Sequence, residues 1–210
     1  MSPDIRSRKV RKERPLRPMP AGVLDAARRT LLLRGARRTS MGDIAEAAGI
    51  PRPTLYEFVS SRDELVDLVL TQRLSEISES LAPIVDRAVS FDDAVVEISV
   101  EAIRATRGDK EITNIFAAAS NRRVLQVLEG PHPFVEKISA SFLQPVFERG
   151  IASGELRSDV SQDMMVRWVR AIYSAYIVRE DVDIEEVRAM MRAFLLPALR
   201  AGGQHIEEHS

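Results

Sequence analysis

The stretch TSMGDIAEAAGIPRPTLYEF, Thr39 to Phe58, places Arg52, Thr54 and Tyr56 within five residues, and Arg62 follows shortly after. All four side chains donate hydrogen bonds, and the two arginines carry permanent charge. Donors of this kind bind the phosphate oxygens of nucleic acid. The sequence offers less to other chemistry. His132, His205 and His209 lie in a proline-flanked loop and a tail, with no second histidine or cysteine at ligand spacing. The chain has no cysteine, which excludes disulfides and thiolate metal sites. There is no glycine-rich phosphate loop and no nucleophile motif. The pairs Asp92-Asp93 and Glu185-Glu186 read as solvated helix starts. No catalytic residue, metal or cofactor is expected, and an enzyme is not the reading these residues favour.

The elements that must position the donors follow from local pattern. Val23, Leu24, Ala27 and Leu31 recur at helical spacing up to Gly35. A second helix starts at Ser40, with Asp43 as an imperfect capping box and Met41, Ile44, Ala45 and Ala48 as its apolar face; Gly49 ends it. Pro51 and Pro53 suit the first turn of a short third helix, where backbone N–H groups have no intrahelical partner to lose. Ser60 or Ser61 caps a fourth, whose apolar residues from Leu65 to Leu81 run until Pro83. Two helices joined at a glycine, the second very short, meet the requirements of a helix-turn-helix. An ordinary helical hairpin meets them too; donors exposed on the short helix favour DNA.

Charge supports the same reading. The formal net charge of −1 hides a division: residues 1–62 hold 14 Lys and Arg against 6 Asp and Glu, while the other 148 hold 16 against 25. That asymmetry points to a polyanionic partner at one end. Residues 1–18, with Arg6, Arg8, Lys9, Arg11, Lys12, Arg14 and Arg17, lack periodicity and read as a disordered basic arm. Such an arm either tracks DNA or is a solvated tail.

Beyond Pro83 every periodic segment is helical. Helices are expected at 91–106, at 109–128 as one or two pieces before GPHP, at 134–150 closed by Gly150, and at 161–179 and 183–200. Aromatic residues make up only 5% of the chain and no alternating strand pattern occurs, so the fold class is all-α. The N-terminus has no apolar core typical of a signal peptide, and no apolar run approaches the roughly 18 residues of a membrane span. A cytoplasmic protein with no membrane partner is expected.

The run TSMGDIAEAAGIPRPTLYEFVSSRDEL, Thr39 to Leu65, resembles the DNA-binding motif of the tetracycline-repressor (TetR) family. The matching positions are Thr39, Ile44-Ala45, Ala48-Gly49, Thr54-Leu55-Tyr56, Ser61-Arg62 and Glu64-Leu65, with a looser likeness back to Pro20. The resemblance implies a three-helix DNA-binding domain over 19–65 and a larger helical effector-binding and dimerisation domain over 66–201, with 202–210 a disordered tail. It also implies a homodimeric, sequence-specific transcriptional regulator of double-stranded operator DNA, a repressor released by a small, largely apolar effector. Carried onto this chain, Thr39, Thr54, Tyr56 and Arg62 are phosphate contacts with Ser40 beside them, and Arg52, Glu57 and Phe58 lie near base edges. Gly42, Pro51, Pro53 and Val59 depart from the residues usual at those positions, which leaves base preference open. A helical carrier of small apolar molecules is the competing reading, one with no use for Arg52, Thr54 and Tyr56 on a single short helix.

Two further sets of residues carry expectations. Met165, Trp168, Ile172 and Tyr176 stripe one late helix, and Val187, Met191, Phe194 and Leu195 stripe the last; they form the expected dimer interface, although so wide a stripe also suits an internal core. The expected effector pocket draws on Phe91, Arg104, Asn114, Phe116, Phe134, Phe142, Trp168 and Tyr173, aromatic walls with a few polar hooks. Each of these also reads as an ordinary core or surface residue.

Overall fold

The computed structural model describes residues 17–119, 121–130, 133–179 and 181–201, the side chains of 121–123, 133 and 134 excepted. Arm residues 1–16, the three histidines, the tail and the side chain of Phe134 therefore lie outside the described residues. Among the described residues there is no strand, only an isolated antiparallel bridge between Leu156 and Arg200. The helices are α1 (Ala21–Arg34), α2 (Met41–Ala47), α3 (Arg52–Leu55), α4 (Arg62–Arg87), α5 (Phe91–Gly108), α6 (Lys110–Ala118), α7 (Asn121–Glu129), α8 (Pro133–Ala152), α9 (Gln162–Ile177), α10 (Ile184–Met190) and α11 (Leu196–Leu199). A wide π turn, Met191–Leu195, joins α10 to α11. It lies just ahead of Pro197, which has no N–H to offer the Ala193 carbonyl four residues earlier.

Short polar side chains start most of these helices. Ser40, Ser61, Ser90, Asp109, Ser161 and Asp183 each accept from a backbone N–H of the first turn. Two expected ends fall elsewhere. α4 continues through Pro83 to Arg87, because Leu81 and Val85 on either side of the proline are both buried in the core. α8 continues past Gly150, which serves packing rather than termination. A Cβ there would stand 2.6 Å from the Phe91 ring, so only glycine lets α5 and α8 approach this closely.

The buried side chains form two clusters. One surrounds α5 and gathers Phe91, Ile98 and Ile103 with Phe147 of α8, Val169 of α9 and Leu199 of α11. Met165, Val187, Met191 and Leu195, expected at a dimer interface, sit in this cluster and are buried within their own chain. Their stripe faces inward because α9 and the last helices close over α5. The second cluster joins α1–α3 and the first half of α4 to α6, α7 and the start of α8, through Ile44, Leu55 and Val69 on one side and Ile112, Ile115 and Val127 on the other.

Ion pairs reinforce this junction. The Arg28 guanidinium of α1 donates to Glu76 of α4 at 2.5 and 2.9 Å and to Glu111 of α6 at 2.9 Å. Arg73 of α4 joins Glu76 at 2.6 Å to Asp109, the α6 cap, at 2.8 Å.

Candidate nucleic-acid interface and internal cavity

The turn between α2 and α3 is set by backbone chemistry. Gly49 takes φ +66, the left-handed region that favours glycine. Its N–H donates to Glu46 at 3.0 Å while Ile50 N–H donates to Ala45 at 3.0 Å, the paired bonds of a Schellman motif. The capping box on α2 is complete: Ser40 Oγ accepts from Asp43 N–H, and the Asp43 carboxylate accepts from Ser40 N–H at 2.8 Å. That backbone bond is the main reason the Asp43 carboxyl is held below the usual carboxylate range, and the Arg34 guanidinium beside it adds to the effect. Leu55 and Val59, both fully buried, anchor α3 on the core beneath.

This anchoring leaves one face of α3 outward. Arg52 and Tyr56 are exposed one turn apart, the guanidinium carbon 5.8 Å from the ring centroid and Nη2 3.4 Å from the phenol oxygen. Ser40 is exposed, and Thr54 is half-buried on the same short helix. Glu57 pairs with Arg17 at 3.0 Å, and Arg17 N–H donates to the Glu57 carbonyl at 2.9 Å, so the end of the basic arm lies beside α3.

Besides the Ser40 hydroxyl, which caps α2 and donates to Asp43 at 2.7 Å, three of the expected contact residues are used internally. Thr39 is only 2% exposed and its hydroxyl donates to the Gly35 carbonyl at 3.0 Å. Arg62 donates through Nε to the Thr39 carbonyl at 2.9 Å and through Nη2 to the Ala36 carbonyl, which fastens the α1–α2 loop to the start of α4. Phe58 packs partly buried on the core rather than projecting outward. Sequence reasoning did not single out Arg37 and Arg38, both exposed in that same loop. Their position beside the Ser40 cap was the available signal.

The effector candidates scatter. Phe142 and Tyr173 stack with centroids 6.1 Å apart and line a cavity between α4, α5, α7, α8 and α9. Phe91 lies in the core against Gly150, and Arg104 is exposed and pairs with Glu101 at 2.6 Å. Asn114 is half-buried on α6, and Phe116 lines two other grooves, one beside the start of α4 and one beside the end of α9. Trp168 is exposed on the outer side of α9. Tyr173 is spent internally at its hydroxyl end: Ser99 donates to Val95 at 2.5 Å, so the phenol donates to Ser99 at 2.6 Å. Burial pushes that phenol above its ordinary range.

Arg170 was missed. It lines the cavity from α9, is 7% exposed, and stands three residues before Tyr173 on the inward stripe. A charged residue on an apolar helix face is a signal that the sequence did contain. Among the described residues no group of acids and histidines could hold a metal ion, and no helix is long and apolar enough to cross a membrane.

Comparison with known proteins bears on both features. Residues 23–69 match the family model described as bacterial regulatory proteins, tetR family. The HTH-type transcriptional repressor KstR2 of Rhodococcus jostii is 30% identical over 154 residues, covering 70% of this chain and 72% of that protein. The transcriptional repressor QsdR of R. erythropolis has the same fold with TM-score 0.63 and 21% identity, over 87% of this chain and 96% of that one. Ligand-free RolR superposes with TM-score 0.69 at 16% identity, over 87% and 91% of the two chains.

Proposed function

The chain belongs to the TetR family of bacterial regulatory proteins and is a DNA-binding transcriptional regulator, not an enzyme; from that premise we propose that it is a homodimeric repressor released from its operator by a small apolar effector. The observation that carries the DNA half of this reading is α3, one turn of helix held on Leu55 with Arg52 and Tyr56 outward at the basic end of the chain. Ser40, Arg52, Thr54 and Tyr56 then contact the duplex, with Arg37 and Arg38 adding phosphate donors. Glu57, held by Arg17, sets the position of the arm. Thr39, Arg62 and Phe58 shape the motif from behind. Residues 19–65 act as the reading head and 66–201 as the body that receives the effector.

Coupling between the two follows from α4. This 26-residue helix starts at Arg62, under the reading head, and passes the cavity at Leu74, Ile77 and Leu81. At about 1.5 Å per residue it spans roughly 39 Å. A ligand that wedges the cavity end tilts the head on its partner, and the two heads no longer match their half-sites. The size of the effect is limited by the ligand's differential affinity for the two arrangements.

The test is fluorescence anisotropy of the protein on the duplex upstream of its own gene, beside a scrambled duplex, at two salt concentrations. Tight, salt-sensitive binding that prefers the native duplex is expected. Absence of binding to either duplex at low salt overturns the DNA reading in favour of a carrier.

A further inference from the structure

The polar groups around the α4–α5–α8–α9 cavity are almost all spoken for. Thr106 donates to Ala102 at 2.7 Å, Ser174 to Arg170 at 2.9 Å, and Ser78 pairs with Ser141 at 3.1 Å. Arg170 differs. Its Nη2 donates to the Glu129 carbonyl at the end of α7, 2.9 Å away, while Nε and Nη1 are buried with no hydrogen-bond partner among the described residues. The nearest carboxylate, Glu136 of α8, stands 3.8 Å from Nη1, too far for a hydrogen bond, and its side chain is 47% exposed. Buried guanidinium N–H groups without acceptors are costly, and a native chain keeps them where something else accepts. The same arginine also lines a surface groove between α8 and α9 with Glu136, Lys137, Asp163 and Arg167. It therefore stands between an apolar interior and a groove of mixed charge.

Resting on the effector reading above, we propose that the effector is a slender aliphatic molecule ending in a carboxylate. Its chain lies among Leu74, Ile77 and Phe142, and its carboxylate accepts from Nε and Nη1 of Arg170. Carboxylate is the favoured anion because Glu136 already approaches the same guanidinium, so the site tolerates that geometry and charge. The chain is slender because the cavity measures about 60 Å³. On that measure one water needs roughly 10–15 Å³, so a fused ring system does not fit.

Isothermal titration of the full protein with octanoate and with 1-octanol, beside the operator anisotropy assay, tests this. Octanoate is expected to bind at least tenfold more tightly than 1-octanol and to lower operator affinity. Arg170→Met is expected to weaken octanoate at least tenfold and leave 1-octanol within about twofold. Glu136→Gln, at a half-exposed position that does not threaten folding, is expected to tighten octanoate several-fold by removing a like charge 3.8 Å from the guanidinium. It decides the matter even where Arg170→Met fails to fold. Equal binding of acid and alcohol by the native protein leaves the cavity as an effector site and overturns the carboxylate. Binding of neither by a protein that still holds its operator overturns the proposal and leaves the regulator standing. Failure of the ligand-free native protein to bind the operator overturns the regulator reading instead.

Discussion

Two side chains of the reading head look alike in sequence and differ in what they do. Arg62 and Tyr56 both suit a phosphate, yet Arg62 donates to the Thr39 and Ala36 carbonyls while the Tyr56 ring stands 41% exposed beside Arg52. Arg62→Met removes two charge-assisted bonds to the α1–α2 loop. It is expected to lower stability by about 1–3 kcal/mol, read as a fall in the urea midpoint, with the salt dependence of DNA binding unchanged. Tyr56→Phe has the opposite profile, unchanged stability and weaker binding to every duplex alike, since a phosphate contact carries no sequence information. Should Arg62→Met keep its stability but reduce the salt slope by about 0.9, Arg62 is a phosphate contact after all.

Between elements, the Arg28–Glu76–Glu111 and Arg73–Asp109 pairs tie α1, α4 and α6 into one block. The Arg28 hydrogen bond, aided by Arg73, holds the Glu76 carboxyl below its ordinary range. For Asp109 burial pushes upward, but Arg73 and the N–H groups of Ile112 and Glu111 outweigh it and the carboxyl also ends low. Carboxyls depressed in the folded state contribute stability above their unfolded range and lose it as pH falls through the folded value. Stability is therefore expected to drop on acidification below about pH 4.3. Arg28→Met, by removing the main cause at Glu76, is expected to be less stable at pH 6 and to lose less between pH 6 and 3.5. Parallel urea midpoints for variant and native protein across that interval would rule the network out as the cause. The elements were legible where local chemistry decides them: Ser40 with Asp43, Gly49 after α2, the proline-led α3. They were not where distant packing decides. Pro83 did not end α4 and Gly150 did not end α8, because Val85 beyond the proline is buried in the core and Phe91 of α5 packs on Gly150. The cavity was half legible for the same reason. Phe142 and Phe91 are the same residue type, and only their neighbours make one a cavity wall and the other core.

On the proposed function the whole molecule presents two reading heads, because one turn of α3 gives too little contact for a specific site. Paired half-sites lie about 34–36 Å apart on one face of DNA, and a two-fold dimer supplies that spacing. With Met165, Val187, Met191 and Leu195 committed to the chain's own core, the large apolar side chains left outward on the late helices are Met164 and Trp168 of α9 and Phe194 of the π turn, at 54%, 41% and 66% exposure. Exposed aromatic and methionine side chains of this kind are those enriched at protein interfaces. Ile172 and Tyr176 are half-buried against the core and extend the Trp168 face inward. The double variant Trp168→Glu and Phe194→Glu is expected to sediment as a monomer at micromolar concentration, where the native protein is expected to sediment as a dimer. Its thermal stability as a folded chain should change little per protomer, since neither side chain fills the core. Its affinity for a full operator should fall to that for a single half-site. A double variant that remains dimeric places the interface elsewhere on the molecule, and one that is monomeric yet binds the full operator as tightly as before removes dimerisation from the account of specificity.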